Sequence, residues 1–198
     1  MAAHFKKAAE SAAHVVLIDE SGALLAPLVK RTLAPKGKTP PMRSSASHRR
    51  KVSMTGALSI SPVWRKLNLY FQTWPEMYVD GEFSALFLRQ LLHHLKGNVI
   101  VVWDRGPMHK GEAMRKLLEA NGRLSIEELP SYAPDCNPVE WLWKHIKFDE
   151  LGNFCPRDVE HLERTLVQKL EAAKADPKRL AGFLAGSELT LEDPALVA

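Results

Sequence analysis

The sequence predicts an α/β protein built on a mixed five-stranded sheet, in which an antiparallel hairpin joins parallel strands and helices flank both. Three observations carry that expectation. Val99 to Trp103 is an unbroken apolar run rich in β-branched residues, the composition of a strand buried on both faces inside a parallel sheet. Lys51 to Ile60 and Trp64 to Phe71, separated by Ser61-Pro62, alternate well enough for an antiparallel hairpin at a sheet edge. Glu82 to Lys96 and Lys110 to Asn121 bracket the Val99 run with apolar residues at helical spacing, so strands and helices alternate in the second half.

Taken in order, the chain opens with residues 1–13, an extension without a signal-peptide hydrophobic segment. His14 to Asp19 is a second buried-strand pattern ending in a carboxylate, and Glu20-Ser21-Gly22 reads as a turn after it. Leu24 to Leu33 is mixed and could hold a short strand around Val29 to Thr32. Pro35 to Pro41 is a loop by its Pro and Gly content, and Arg43 to Arg50 is Ser-rich and basic. On the Glu82–Lys96 helix His93 and His94 are adjacent, so they face different directions and read as surface residues. After Trp103 the chain delivers Asp104 to a turn made by Arg105-Gly106-Pro107. The Lys110–Asn121 helix closes on Asn121-Gly122, a C-cap signal. Leu124 to Leu129 is another short strand candidate, and Pro130 to Pro138 a loop. Val139 to Phe148 is a Trp-rich helix with Pro138 near its first position and Asn137 as cap. Asn153 to Pro156 interrupts it, and Pro156 to Ala175 is the last long helix. Beyond Asp176 the pattern is weak. The expected division is therefore an extension (1–13), one domain (14–175) and a tail (176–198), with no internal repeat.

Composition excludes several classes. Apolar residues at 45% and charged residues at 25% describe an ordinary globular chain, and the longest apolar runs are far below a membrane span. Cys136 and Cys155 give neither a disulfide framework nor a metal-ligand spacing, and read as reduced thiols of a cytosolic protein. The charge is uneven. Between Ser21 and Pro75 there is no Asp or Glu; Lys30, Arg31, Lys36, Lys38, Arg43, Arg49, Arg50, Lys51, Arg65 and Lys66 give that stretch +10, so the net +4 leaves −6 on the remainder. A polyanion is the natural partner of such a surface, and nucleic acid is the first candidate.

Three acids stand out by context: Asp19 and Asp104 at strand ends, and Glu140 in the first turn of a helix that follows a Pro-rich loop. If the two strands pair in parallel, Asp19 and Asp104 end side by side, at the edge where open α/β sheets bind ligands. Clustered carboxylates repel one another unless cations neutralise them, and their oxygens are the ligands of hard divalent ions. Two such ions ~4 Å apart hold the attacking and leaving oxygens of an in-line phosphoryl displacement. Any one of the acids alone would be an ordinary exposed carboxylate; together with the basic stretch they favour a metal site.

The strings Val-Val-Leu-Ile-Asp-Glu-Ser-Gly around Asp19, Val-Trp-Asp-Arg-Gly-Pro-Met-His-Lys around Asp104 and Leu-Pro-Ser-Tyr-Ala-Pro-Asp-Cys-Asn-Pro-Val-Glu-Trp-Leu-Trp around Glu140 resemble the catalytic domain of insertion-sequence transposases, mariner-related DDE superfamily endonucleases with a ribonuclease H-like fold. The resemblance covers His14 to about Pro156, and the 35 residues between Asp104 and Glu140 are close to the family's mid-thirties spacing. Arg105-Gly106 departs from the Asn-Ala often found after the second acid. The resemblance implies Asp19, Asp104 and Glu140 as a catalytic triad holding two Mg2+ (or Mn2+) ions, DNA strand cleavage followed by strand transfer, and double-stranded DNA (transposon ends and target) as partner. It further implies a homodimer on DNA, a bacterial cytoplasmic, nucleoid-associated setting and no membrane. Relatives usually carry an amino-terminal helix-turn-helix, and nothing before His14 holds one; the expectation is a domain without its own end recognition, leaving room for a separate helix-turn-helix polypeptide.

The DNA-contact candidates are Lys36, Lys38, Arg43, Arg49, Arg50 and Lys51 in the basic stretch, His109 and Lys110 after Asp104, and Lys144 and Lys147 four and seven residues beyond Glu140 on the same helical face. Of Trp141 and Trp143, at least one belongs to the core. Glu20 is a candidate for supporting the acids rather than joining them. Two alternatives stay open: a catalytically silent DNA-binding or dimerisation remnant, and a ribonuclease H-like nuclease acting on another nucleic acid.

Overall fold

The strand predicted to end at Asp19 runs on to Leu24. In the computed structural model, which describes residues 12–42, 50–62, 66–104, 106, 111–129 and 134–187, β1 (His14–Leu24) pairs antiparallel with β2 (Lys51–Ile60) along its length, Val15 opposite Ile60 through Leu24 opposite Lys51. Glu20-Ser21-Gly22 is therefore extended rather than a turn. A local turn preference is weak, and pairing with Thr55, Met54 and Ser53 supplies the backbone hydrogen bonds a turn would have left to water. β2 continues antiparallel into β3 (Leu67–Pro75). The hairpin is the expected one, shifted later; Trp64 and Arg65 lie outside the described residues.

On its other side β1 pairs in parallel with β4 (Val99–Trp103), but only from His14 opposite Val99 to Leu17 opposite Val102. β4 in turn pairs in parallel with β5 (Leu124–Glu128), giving a mixed five-stranded sheet in the order β3-β2-β1-β4-β5. All five residues of β4 are buried, as its apolar run requires. Helices α1 (Gly81–His94) and α2 (Glu112–Ala120) flank β4 in sequence. His93 and His94 at the end of α1 are exposed, as predicted. Asn121 ends α2 without a left-handed turn, its side chain bonding the Leu117 carbonyl instead.

The pleat divides the core. Val16, Ile18, Val99 and Val101 pack with Phe87, Leu88 and Leu91 of α1 and Met114 and Leu117 of α2. Val15, Leu17, Ile100 and Val102 face the other way, against α3 (Pro138–Lys144), a π-helical turn (His145–Glu150), α4 (Val159–Lys174) and α5 (Pro177–Gly186). The single helix predicted from Val139 to Phe148 is thus α-helical only to Lys144, after which Leu151 N–H reaches back to the Ile146 carbonyl. Two features differ from expectation. No strand forms at Val29 to Thr32; Asn153 instead clasps Lys30, accepting its N–H at 2.7 Å and donating to its C=O at 2.8 Å. The weakly patterned stretch after Asp176 contains α5, capped by the Asp176 carboxylate on Arg179 N–H and seated through Leu180 and Phe183, both buried. Among the described residues no helix is long and apolar enough to cross a membrane.

Candidate active site

Alternation along β1 sets Asp19 on the face of Val15 and Leu17, towards α3. Continuing the parallel register two residues past Leu17–Val102 brings Asp104 level with Asp19, on the same face as Ile100 and Val102. β1 and β4 are no longer paired at that point, so the sheet opens beside both acids. Asp104 is exposed, and its Oδ1 accepts the Gly106 N–H at 3.0 Å. This is the Asx turn that the Arg105-Gly106-Pro107 sequence favours.

Glu140 arrives on α3, and one buried amide fixes where. The Asn137 side-chain oxygen caps the helix by accepting Val139 N–H at 3.1 Å, while its Nδ2 donates to the Ile18 carbonyl at 2.9 Å. The helix start carrying Glu140 is thereby fastened to the residue before Asp19. One turn after Glu140, Trp143 is only 2% exposed and donates its indole N–H to Asp19 Oδ2 at 2.9 Å. Gly56, the register partner of Asp19, makes room for that ring. A Cβ there would stand 2.8 Å from Cη2 and Cζ2 of Trp143, well inside contact distance. The Gly56 that breaks the β2 alternation in sequence is thus a place of close approach.

The electrostatics centre on Asp19. Burial first, then the negative fields of Glu140, Glu20 and Asp104, push its carboxyl up to about 8 from an ordinary 3.8, against the opposing bond from Trp143. Glu20 faces the opposite layer, where Trp103 donates to its Oε2 at 3.3 Å. Lys147 is half-buried; burial lowers the pKa of its ammonium while Glu140 and Asp19 hold it up, so it stands among the acids rather than on an open lysine face. An open cavity of about 370 Å³ is lined by Glu140, Trp143, Lys144 and Lys147, among others. Lys144 is exposed, its ammonium 4.5 Å from the centre of the Trp141 ring.

Among the described residues no three His, Cys, Asp or Glu side chains form a ready-made metal-holding group. The acids nevertheless fit divalent ions in kind and in field. They are hard oxygen donors, and the burial and anionic crowding that raise the Asp19 carboxyl are conditions that a divalent cation relieves. Glu140, on the first turn of α3, and Asp104 are both exposed.

The basic candidates divide. Lys36 and Lys38 are exposed on a turn closed by Lys38 N–H to the Pro35 carbonyl, with Gly37 at φ +79°. Arg50 is gripped by both carboxylate oxygens of Glu76, at 2.8 and 3.1 Å, and Lys51 lies 3.4 Å over the Tyr78 ring. Arg43, Arg49, His109 and Lys110 lie outside the described residues. Reading the sequence missed the Trp143–Asp19 bond, the second bond of Asn137 and the role of Gly56. The available signal was the position of Trp143 one helical turn beyond Glu140.

Residues 14–163 match the family model described as DDE superfamily endonuclease. No curated protein matches in sequence. Among solved structures, the chain resembles the pre-cleavage Mos1 transpososome (TM-score 0.60, 16% identity, covering 93% of this chain and 58% of that one). It is similar too to the mariner Mos1 paired end complex with Mg (TM-score 0.60, 18% identity, 93% and 56%). The catalytic domain of Mos1 mariner transposase shares the fold over nearly its whole length (TM-score 0.53, 14% identity, 95% and 89%). The chain therefore spans a little over half of the transpososome chains and most of the isolated domain.

Proposed function

We propose that this chain, which belongs to the DDE superfamily of endonucleases, cuts a DNA strand at a transposon end and joins the freed 3′-hydroxyl to target DNA, with Asp19, Asp104 and Glu140 as its catalytic carboxylates. The observation carrying the reading is the convergence on Asp19: beside its burial, two carboxylates remote in sequence, Glu140 and Asp104, act on it together with its neighbour Glu20. Two divalent ions, magnesium or manganese, bound by these acids would supply Lewis acidity at the scissile phosphate and a hydroxide at neutral pH.

The protein's own groups have distinct tasks. Asp19, half-buried and bonded to Trp143, anchors the set; Glu140 and Asp104, exposed, complete it. Lys147 and Lys144 border the same cavity and meet phosphate oxygens there. The acid-free stretch, with Lys36 and Lys38 displayed on their turn, holds the duplex backbone without reading bases. Water cleaves one phosphodiester and frees a 3′-hydroxyl; that hydroxyl attacks a target phosphorus in line as the target strand's own 3′-oxygen leaves, so the same carboxylates serve both steps and no covalent protein intermediate is needed. Two copies of the chain on paired ends, and a helix-turn-helix supplied outside residues 14–163, complete the proposed assembly.

Asp104→Asn tests this reading. Magnesium-dependent nicking of linear duplex should be abolished, while salt-sensitive DNA binding measured by filter retention persists, since the backbone contacts come from the basic stretch. Unchanged nicking in that variant would reject the assignment. Preferential cleavage of branched or RNA–DNA hybrid substrates by the native protein would move the activity to another ribonuclease H-like nuclease class.

A further inference from the structure

We infer that Trp143 is a positioning residue for Asp19: its indole N–H holds Oδ2, fixing the carboxylate so that Oδ1 is turned to the ion. The inference rests on the proposed metal chemistry and adds a residue to it. The donor is well chosen. An indole offers one N–H, carries no charge and cannot itself ligate a cation, so it orients the carboxylate without neutralising it. A lysine or arginine at the same place would compete with the ion for the negative charge.

The contact is built rather than incidental. Trp143 is 2% exposed and its bond to Asp19 is 2.9 Å, so the N–H has given up water for this one acceptor. The ring reaches Asp19 only because β2 presents a glycine opposite it, at the 2.8 Å clearance that any side chain would fill. The helix bearing Trp143 is fixed to β1 by the Asn137 bond to the Ile18 carbonyl. Trp143 and Glu140 lie one turn apart on α3, so a single docking of that helix sets the first acid's orientation and the third acid's position together. Groups that hydrogen-bond metal-ligating carboxylates commonly change metal affinity by about 10- to 100-fold when removed.

The test uses the full chain and Mn2+ alone, titrated by electron paramagnetic resonance without DNA, beside urea unfolding in chelator. Trp143→Phe keeps an aromatic ring and removes the N–H. Gly56→Ala keeps the indole and displaces it, a second route should the first variant fold poorly. Trp74→Phe is the comparator, losing a buried indole bond of similar kind (to Thr55 Oγ1, 3.2 Å) outside the acids. Expected are a roughly 10- to 100-fold weaker Mn2+ affinity in Trp143→Phe, a smaller loss in Gly56→Ala, and native affinity in Trp74→Phe whatever its stability. Native Mn2+ affinity in Trp143→Phe, with binding lost in Asp19→Asn, overturns the positioning role and leaves the metal site standing. Native affinity in Asp19→Asn itself overturns both.

Discussion

Asp19 makes the metal-free protein sensitive to pH in a direction opposite to that of an ordinary salt-bridged acid. Its carboxyl is raised to about 8 in the fold, chiefly by burial and then by Glu140, Glu20 and Asp104, against 3.8 in an unperturbed chain. Between those values the native state binds a proton that the unfolded state has released. Its contribution is therefore complete below the unfolded value and is lost as pH rises through about 8. One pKa unit corresponds to about 1.4 kcal/mol, so the interval from pH 5 to pH 8 spans about 4 kcal/mol if the site is rigid. Asp19 is only half-buried and Glu140 and Asp104 are exposed, so solvent screening brings the expected loss to about 2 to 4 kcal/mol. The assay is urea unfolding in chelator at several pH values, for the native chain and for Asp19→Asn. The difference between the two curves isolates Asp19, because acids held low by partners, such as Glu150 beside Lys169, contribute equally to both. The asparagine variant should be the more stable at pH 8, with the difference shrinking towards pH 5. Saturating Mg2+ should restore the native chain at pH 8 by about 3 kcal/mol at a hundredfold excess over Kd, and the variant hardly at all. Parallel pH profiles for the two proteins would refute the reasoning.

Asn137→Ala removes a helix cap and leaves the Ile18 carbonyl unpaired in a buried setting, so it should cost about 2 to 4 kcal/mol in urea unfolding. Arg179→Met cuts the ties from α5 to Glu150 and to Asp176, each at 3.4 Å, and should lower stability by about 1 kcal/mol with little effect on Mn2+ affinity, by unfolding and metal titration together. Lys36→Ala with Lys38→Ala should flatten the dependence of log affinity on log salt by about two for duplex DNA, uniformly across sequences, as read by filter retention.

The sheet was legible because its strands are extreme in composition. A run such as Val99 to Trp103 has few other places to go than the middle of a sheet, and the two hairpin strands alternate around a clear turn. The failures share a cause. Glu20-Ser21-Gly22 has turn composition, yet a partner strand thirty residues away claims its backbone. Val29 to Thr32 has strand composition, yet one asparagine, Asn153, takes the hydrogen bonds a neighbouring strand would have used. α5 was hidden because it buries only a narrow stripe, Leu180 and Phe183, against helices whose positions no local pattern reveals. At the site, the acids could be picked out by their context, but the groups that orient them could not. Trp143 and Asn137 look like a core tryptophan and a helix cap, and each is that as well. Their further bonds, to Asp19 and to the Ile18 carbonyl, depend on how α3 docks on β1.

That docking explains how Asp19 is kept in a half-buried place beside other acids. A carboxylate in the position of Asp19 opposes folding near neutral pH, and hydrogen bonds from neutral donors reduce that opposition without cancelling the charge. The load is carried elsewhere: Leu142, Trp143 and Ile146 of the α3–π-helical segment are all at most 2% exposed and bind it to the sheet through apolar contact. Asp19 is held by Trp143 and Asp104 by the Gly106 N–H, while Glu140 and Asp104 both stay at the surface. Truncating a core residue such as Ile146 to Ala should cost about 2 to 5 kcal/mol in folding and weaken the metal site through loss of α3 docking, whereas Glu140→Gln, on an exposed turn, should disable metal binding with stability unchanged or raised.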